Sequence, residues 1–473
     1  MTITLRTALP ELYNDLCEVI RLFYGECEIH EDADGEICIV HTVEDEKHVV
    51  RVGNVEKTTP LTPVGEDELE NKCKRAVKNT VYAALKELTG KRIPWGSLTG
   101  IRPTRLFYEQ LAAGLDEEAA CRALMEKFDV SREKAELLRD IARVQRGMEQ
   151  PKAGEIDVYI GIPFCRTRCS YCSFAAVDLK HGGKLTDGYV EAVTREMQLV
   201  RGDLSQYKVR GLYIGGGTPT ALTCAQLDRV IGTALECFPG AREFTVEAGR
   251  PDTLDDEKLR MLRAHGVDRV SLNPQTMNDE TLRRVGRDHT AEDIRRMYDE
   301  MHGMGFSVIN MDLILGLPGE TAEDVARTLD AIAELTPENL TVHTLAIKRA
   351  AALRQTGYHA DEEEAMRMVE LAAHRAREMG YQPYYLYRQK YMAGNLENVG
   401  YCKPGTASIY NVDIMEEIMP IAAFGAGAIS KWLYPAARRI ERAPNVKNIE
   451  QYIARVDEMA ERKRALWNEE GNK

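Results

Sequence analysis

The sequence predicts an α/β protein built on a partial (β/α)6 barrel, with an N-terminal α+β domain and a C-terminal α/β region that covers the barrel. Three observations lead to this fold. Strand-like and helix-like segments alternate six times after residue 157, and the hydrophobic pattern differs before residue 150 and after residue 361. The predicted domains are 1–150, 155–360 and 361–473, a division that suits a chain of 473 residues.

The first 150 residues predict a small α+β domain. Its helices and strands follow from apolar spacing, and they are a helix over 9–23, strands over 27–30, 36–42 and 48–53, a helix over 67–88 and two helices within 114–148. The dipeptide Asp34-Gly35 predicts a hairpin between the first two strands. A linker over 150–154 ends the domain.

The central region repeats a strand followed by a helix. The strands are predicted over 158–162, 211–214, 244–247, 270–273, 308–314 and 340–345, and the helices over 187–207, 224–238, 255–265, 291–304 and 322–335. Such repeats form a parallel sheet with right-handed crossovers, and six units are too few for an eight-stranded closed barrel. In this architecture the chemistry is expected at the carboxyl ends of the strands.

The tail, from about residue 361, predicts a helix, two or three strands and a last helix near 449–467. We expect it to cover the barrel.

Composition limits the classes of function. The net charge of −13 argues against a broad nucleic-acid surface. There is no run of 18 apolar residues and no N-terminal signal peptide, so we expect neither a membrane span nor export. The 11 cysteines are scattered and odd in number, which suits a reducing cytoplasm better than a disulfide framework. The sequence therefore predicts a cytoplasmic protein.

Three cysteines form a compact C-x3-C-x2-C motif directly after the first barrel strand. They are Cys165, Cys169 and Cys172. Thiolates are soft ligands suited to iron–sulfur clusters, and three of them can hold three irons of a cubane while the fourth iron stays open to a non-protein ligand. A structural zinc site would require a fourth Cys or His. The motif predicts a [4Fe–4S] cluster.

Polar and glycine residues follow the next strands. A Gly215-Gly216-Gly217-Thr218 run ends the second strand, where absent side chains allow close approach to a ligand. Glu247 closes the third strand, Gln275 follows the fourth, and Asp312 lies in the fifth. Singly, each residue fits a solvated strand end or a plain turn. Together they predict a binding site at the mouth of the barrel.

The cysteine motif, with an aromatic residue before its last cysteine and a strand before its first, resembles the radical S-adenosylmethionine (SAM) superfamily. The resemblance implies that SAM binds the open iron through its amino and carboxylate groups. It further implies reductive cleavage of SAM to a 5′-deoxyadenosyl radical that abstracts hydrogen, while the protein contributes positioning and electronic tuning.

A closer resemblance is to the oxygen-independent coproporphyrinogen III oxidase group. It rests on Ile-Pro-Phe-Cys, Gly-Gly-Gly-Thr-Pro-Thr, and Asp-Leu-Ile-x-Gly-Leu-Pro in order over about 155–350. Within that group, stretches at 96–104, 246–251, 271–278 and 387–394 resemble the HemZ-type coproporphyrinogen dehydrogenase branch. The resemblance implies one or two bound SAM molecules. It places Tyr159, Gly216, Glu247 and Ile429 at the first, and Tyr171, Gly217, Thr218, Gln275, Arg287, Asp312 and Ala346 at positions that hold a second.

The resemblance implies oxidative decarboxylation of coproporphyrinogen III to protoporphyrinogen IX, with a reducing partner such as a flavodoxin. Each propionate of this substrate favours a charge-assisted basic partner. The candidates are Lys348, Arg349, Arg388 and Lys390, and the alternative for these residues is a solvated edge.

Two departures keep other functions open. Ser173-Phe174 stands where the oxidases have a further cysteine, so another radical SAM reaction on a tetrapyrrole, such as haem modification, is an alternative. Gly161 stands where haem-chaperone relatives have histidine, which weakens a third alternative, haem binding and delivery without turnover.

Overall fold

The computed structural model describes residues 1–32, 35–61, 67–100, 102–389, 392–434 and 439–468. Its residues form two compact units, Met1–Arg139 with Gly394–Leu396, and Asp140–Ala393 with Glu397–Lys473. The division into three domains, at 1–150, 155–360 and 361–473, stays a prediction.

The first unit is an α+β structure with a five-stranded sheet. Its elements are β1 (Thr2–Thr7), α1 (Tyr13–Tyr24), β2 (Glu28–His30), β3 (Ile37–Glu44), β4 (Lys47–Val52), β5 (Val55–Pro60), α2 (Asp67–Thr89), α3 (Pro103–Ala112), α4 (Glu117–Phe128) and α5 (Arg132–Gly147), of which the last ends in the second unit. The strand order is β2-β1-β3-β4-β5. Apolar residues from the sheet, α1 and α2 form one core.

The predicted hairpin between β2 and β3 is wrong, because β1 lies between them and pairs in parallel with both. The turn signal is local, whereas Ile3 and Leu5 of β1 are fully buried and hold that strand at the centre of the sheet. Asp34 of the signal lies outside the described residues. The sequence also did not predict β1, β5 and α3.

A buried chain of polar groups crosses the first unit. Thr7 Oγ1 lies 2.9 Å from His41 Nδ1, and His41 Nε2 lies 3.2 Å from His48 Nδ1. His48 Nε2 in turn lies 3.7 Å from Cys73 Sγ. Burial lowers the pKa of His41 to about 4, with a contribution from His48, and burial also lowers the pKa of His48. The fold therefore favours both imidazoles in the neutral form.

We expect acid to destabilise the first unit through these histidines. Below the ordinary histidine pKa of about 6.5 the unfolded chain binds more protons than the folded chain, so stability falls as the pH drops towards about 4. For His41 the loss is about 2 to 3 kcal/mol between pH 7 and about pH 4.5. Urea unfolding followed by the fluorescence of buried Trp95, with Trp432 and Trp467 replaced by Phe, measures it. A His41→Gln variant should show a weaker pH dependence, and an unchanged slope would contradict the expectation.

The second unit carries the barrel. In chain order its elements are β6 (Glu155–Ile162), β7 (Phe164–Cys165), β8 (Val177–Asp178), α6 (Leu179–Gly182), α7 (Thr186–Leu204), β9 (Lys208–Gly216), α8 (Cys224–Cys237), β10 (Glu243–Gly249), α9 (Asp256–Ala264), β11 (Arg269–Leu272), α10 (Asp279–Arg284), α11 (Ala291–Gly303), β12 (Val308–Leu315), α12 (Ala322–Leu335), β13 (Asn339–Thr344), α13 (Glu362–Glu378), β14 (Gln382–Tyr387), β15 (Asn398–Cys402), α14 (Ile409–Glu416), β16 (Ile421–Phe424), β17 (Ile429–Tyr434), β18 (Arg439–Pro444), α15 (Ile449–Ala454) and α16 (Val456–Asn468).

The six predicted barrel strands are confirmed as β6, β9, β10, β11, β12 and β13, which are parallel neighbours in that order. Helices connect them as the strand–helix alternation predicts. Three of these helices begin at threonine capping boxes, at Thr223, Thr290 and Thr321, which satisfy free amides of the first turn. The α/β class is therefore confirmed, with an open row of six parallel strands at its centre.

Strands of the tail extend both edges of this row. On one side β15 pairs antiparallel with β13, and β14 pairs with β15. On the other side β16 pairs in parallel with β6, followed by β17 and β18. The result is an eleven-stranded sheet, and the tail contributes five strands instead of the two or three predicted. The tail therefore lies within the sheet that carries the barrel strands.

No helix among the described residues is long and apolar enough to cross a membrane.

Candidate active site

The three cysteines lie at the carboxyl end of β6, on a segment that we call the cluster loop (residues 165–176). The loop is held by hydrogen bonds to the segments that follow other barrel strands. The pairs are Ser170 with Val285 and Leu353, Thr167 with Gly286 and Arg250, and Arg168 with Ala350. Because these partners follow β10, β11 and β13, the loop is fixed across the mouth of the barrel.

The thiol groups are largely shielded from solvent. Cys169 is buried, while Cys165 and Cys172 are half-buried. Burial raises the pKa of the Cys165 thiol to about 11, against a 3.6 Å hydrogen bond from Thr218 Oγ1 that lowers it. Among the described residues no three His, Cys, Asp or Glu side chains converge on the position of a single metal ion. A [4Fe–4S] cubane requires a different geometry, because each cysteine thiolate binds a separate iron and the thiolates do not converge on one point.

The glycine run packs against the start of the cluster loop. Gly217 N donates to Ile162 O at 2.8 Å, and Thr218 N donates to Phe164 O at 2.7 Å. A Cβ on Gly217 would lie 2.6 Å from Phe164 O, and Gly216 has a φ of +111°. No side chain fits at these two positions without movement of the backbone. The end of β9 is thereby drawn against the loop that carries the cysteines.

Glu247 lies beside this run, at the end of β10. Its carboxyl group accepts hydrogen bonds from Tyr213 Oη at 2.6 Å and from Gly216 N at 3.2 Å. Burial raises the pKa of Glu247 to about 7, although the bond from Tyr213 lowers it. The nearby charge of Asp312 raises it further. A carboxyl group with this pKa changes charge near neutral pH, so a bound cation determines its protonation.

Asp312 lies close enough to Glu247 for its charge to raise the pKa of Glu247. Its Oδ1 accepts from Asn310 Nδ2 at 2.8 Å, and its Oδ2 lies 3.8 Å from His343 Nε2. Burial acts to raise the pKa of Asp312, but the bonds and charge of its neighbours outweigh burial and leave the pKa below its usual value. Gln275, with a φ of +68°, donates its backbone N–H to Asp312 O at 2.9 Å. These contacts keep the carboxylate of Asp312 charged near neutral pH.

Tyr171 and Arg287 meet beneath the cluster loop. Arg287 Nη1 donates to Tyr171 Oη at 3.1 Å, and Arg287 Nη2 donates to Asn273 O at 2.6 Å. Burial raises the pKa of Tyr171 well above its usual value, so the phenol stays protonated. The contact joins the loop to the end of β11.

Several buried polar atoms near Glu247 and the cluster loop have no hydrogen-bond partner in the described part of the protein, and such atoms indicate whether a polar cofactor would fit the site. Within the described ranges these include Asn273 Oδ1, Gln275 Oε1 and Arg287 Nε, all next to the predicted SAM positions. Such atoms are costly unless a ligand or water satisfies them. The donor set of three thiols, two carboxyl groups and these unpaired atoms fits an iron–sulfur cluster with a zwitterionic, cationic cofactor.

The remaining predicted residues lie around this centre. Tyr159 stacks on Tyr213 with ring centroids 6.2 Å apart. Ile429, at the start of β17, is 42% exposed, and Ala346 pairs with Met392 in an isolated bridge.

The predicted substrate residues differ in exposure. Lys348 and Arg349 are exposed on the segment that reaches the cluster loop. Arg388 is buried, and burial lowers its pKa to about 10 while the charge of Glu397 raises it. Lys390 lies outside the described residues.

Sequence reasoning missed three residues at the site, which are Tyr213, His343 and Tyr410. Tyr213 and Tyr410 stack at 4.4 Å beside Glu247, and Nδ1 of His343 lies 3.4 Å from Tyr387 Oη. The period-2 alternation of strands could have indicated Tyr213 and His343, which lie two positions from Gly215 and Thr341 on the same strands. Tyr410 comes from the tail, and no local pattern indicates its approach to the barrel.

Proteins with similar sequences identify the family to which this chain belongs. A family model described as the radical SAM superfamily matches residues 159–332. The chain is 38% identical to the oxygen-independent coproporphyrinogen-III oxidase-like protein HemZ of Bacillus subtilis (strain 168), over 96% of this chain and 95% of HemZ. It is 34% identical to the heme chaperone HemW of the same organism, over 40% of this chain and 50% of HemW.

A solved structure, the radical SAM enzyme coproporphyrinogen III oxidase (HemN) from Escherichia coli, is similar with a TM-score of 0.54 and 26% identity, over 69% of this chain and 73% of HemN. The cysteine loop, the glycine run and the similarity over nearly the whole chain agree with one another. The chain therefore belongs to the radical SAM enzyme superfamily and, within it, to the HemZ family, and its cofactors are a [4Fe–4S] cluster and SAM.

Proposed function

We propose that this enzyme converts two propionate side chains of coproporphyrinogen III to vinyl groups without oxygen, giving protoporphyrinogen IX. Each conversion removes one hydrogen atom from the propionate β-carbon, passes one electron from the resulting carbon radical to an external one-electron acceptor, and releases carbon dioxide. When bound, the cluster and SAM supply the one-electron chemistry that starts this hydrogen abstraction. The observation that carries the proposal is the set of buried polar groups around Glu247 and Asp312, where we place a SAM-binding chamber, next to the glycine run that packs on the cysteine loop, in a chain similar to HemZ along its length.

The residues of the chain would bind and orient the reactants. We assign the cluster to Cys165, Cys169 and Cys172. Glu247, hydrogen-bonded by Tyr213, attracts the positive charge of SAM, and Asp312 accepts hydrogen bonds on the other side of the chamber. Placing SAM and propionate together contributes much of the rate, because it removes the need for an encounter of free molecules.

Basic residues outside the chamber are proposed to hold the propionates that do not react. Lys348 and Arg349 are exposed close to the cluster loop, so a tetrapyrrole at the mouth could reach them. Arg388 is buried near Glu397 and is a weaker candidate for direct contact. A cytoplasmic electron donor such as a flavodoxin, with no nucleic-acid or membrane partner, completes the proposal.

A product assay tests the proposal. Anaerobically reconstituted protein, incubated with SAM, a reductant and coproporphyrinogen III, should give about two molecules of 5′-deoxyadenosine for each divinyl product, because each propionate loses one hydrogen atom. A Lys348→Gln/Arg349→Gln variant should raise KM for the tetrapyrrole about tenfold, as expected for a lost charge-assisted contact. The matched control Lys180→Gln, another exposed basic residue, should leave KM unchanged.

The same assay distinguishes the alternatives. Protein that holds an intact cluster but forms neither 5′-deoxyadenosine nor a vinyl product would contradict the proposal. Conversion of haem in place of coproporphyrinogen would favour a haem-modifying enzyme, for which Ser173-Phe174 is the motivating departure. Stoichiometric haem binding without SAM cleavage would favour haem delivery, the function suggested by the partial similarity to HemW.

A further inference from the structure

A charged pair is completely buried between two helices outside the cluster loop. Glu196 of α7 and Lys463 of α16 both have 0% exposed side chains, and the ammonium group of Lys463 donates to Glu196 Oε1. Burial removes the hydration of both charges in an ion pair, and this cost offsets much of their mutual attraction. Apolar side chains of similar size therefore often give a protein equal stability. Stability alone therefore does not account for this pair, and the other groups that contact it indicate a further role.

The other donors to Glu196 come from the turn after β16, from the end of β18 and from α15. Oε2 accepts from the backbone N–H of Gly425 at 2.9 Å and from Tyr452 Oη at 2.5 Å. Oε1 also accepts from Asn445 Nδ2 at 2.8 Å, and the same Nδ2 donates to Gly425 O at 2.8 Å. Lys463 Nζ completes the set by donating to Asn445 Oδ1 at 2.7 Å. Glu196 thus binds the N–H of Gly425 directly, and Asn445, which both members of the pair contact, binds its carbonyl oxygen.

The segment held in this way, which we call the Gly425 turn (residues 425–428), lies against the end of the first barrel strand. Tyr189 Oη donates to Gly161 O at 2.5 Å and accepts from Ala426 N at 3.1 Å. Gly425 has a φ of +100°, and a Cβ there would lie 2.4 Å from Gly161 O. Gly161 lies between Tyr159 and the cysteines, and Ile429 directly follows the turn. The turn therefore packs on the strand that carries Tyr159 and leads into the cluster loop.

We propose that Glu196 and Lys463 are positioning residues that hold the Gly425 turn at the distance from β6 that SAM binding requires. The inference rests on the predicted contacts of Tyr159 and Ile429 with SAM, and it does not depend on which tetrapyrrole reacts. Neither Glu196 nor Lys463 touches SAM. The pair acts through the two backbone groups of Gly425, which it fixes from outside the chamber, and so makes the last helix of the chain a determinant of SAM affinity.

Two readouts test the proposal on the full chain. Hydrogen–deuterium exchange of a peptide spanning 421–430, without cofactors, reports whether the turn is held. Equilibrium dialysis of SAM with the reconstituted protein reports affinity. In a Lys463→Met variant, exchange of this peptide and the Kd for SAM should each rise about tenfold, because a hydrogen bond to a charged group is weakened.

The neighbouring ion pair on the same two helices supplies a matched control. Arg464 Nε lies 3.0 Å from Asp203 Oδ2 in a half-buried position that makes no contact with Gly425, so Arg464→Met should change either readout by less than about twofold. A Glu196→Gln/Lys463→Met double variant guards against loss of folding, since it leaves no buried charge unpaired. Its amide offers one oxygen where the carboxylate offered two, so exchange and Kd should still rise.

The outcomes separate a positioning role from a purely structural one. A rise in both exchange and Kd in the two Lys463 variants, but not in Arg464→Met, supports the proposal. Faster exchange with an unchanged Kd for SAM overturns it, as does a stability loss that leaves both readouts of the folded protein unchanged. Because no tetrapyrrole is used, a failure of the proposed decarboxylation leaves this result intact, and the reverse also holds.

Discussion

Replacing Cys169 by alanine should leave the folded protein with fewer than about one iron per chain after reconstitution, compared with about four in the wild type. The physical reason is that the proposed ligand set has only three thiolates, so the loss of one leaves an iron of the cubane without a protein ligand. SAM cleavage should fall below detection, because SAM has no iron to bind. Iron analysis, the visible absorption of the cluster and a 5′-deoxyadenosine assay measure these effects.

Cys237 provides the matched control. It is also buried, with 8% exposure, but it lies at the end of α8, outside the cluster loop. Cys237→Ala should keep full iron content and SAM cleavage, with a stability loss of about 1 kcal/mol from the removed sulfur. Retention of a four-iron cluster by Cys169→Ala would show that another residue serves as the third ligand, and the assigned ligand set would then be wrong.

The second large effect is expected at Glu247. A Glu247→Gln variant should bind SAM about 10- to 100-fold more weakly, because a charge-assisted contact to a cation is worth about 1.5 to 3 kcal/mol. The amide oxygen of Gln can still accept from Gly216 N, and its NH2 group can donate to Tyr213 Oη, so folding should be preserved. Equilibrium dialysis of SAM, combined with thermal unfolding, separates affinity from stability.

Glu247 should also make SAM binding dependent on pH. Its pKa is about 7 in the cofactor-free chain, so a growing fraction is neutral as the pH falls through that value, and the affinity for cationic SAM declines. The bond from Tyr213 lowers this pKa, so Tyr213→Phe should move the decline to higher pH. The Glu247→Gln variant should show no such decline. An identical pH profile in wild type and Glu247→Gln would exclude Glu247 as its cause.

Sequence reasoning predicted the barrel because its elements are local and regular. The strands and helices of 158–345 agree with the structure to within a few residues, since strand–helix units have strong apolar periodicity. The predicted site residues also follow strand ends, and topology places those ends together. Glu247 and Asp312, for example, are 65 positions apart in sequence and influence each other's charge.

Long-range pairings were less predictable. The central position of β1 depends on pairing with β2 and β3, which a turn signal at 34–35 cannot anticipate. Similarly, β16 has only four residues, and its place beside β6 is set by packing across the chain. Tyr410 likewise reaches the site because the pairing of the tail strands brings it there. Short segments carry too little periodicity for their partners to be inferred.

The pairing of β16 with β6 has a consequence for synthesis of the protein. About 260 residues separate the two strands, so a ribosome that adds about 5 to 20 residues per second delivers β16 roughly 13 to 50 seconds after β6. Throughout this interval the nascent chain exposes one edge of β6, directly beside the three cysteines. An open strand edge invites pairing with other chains.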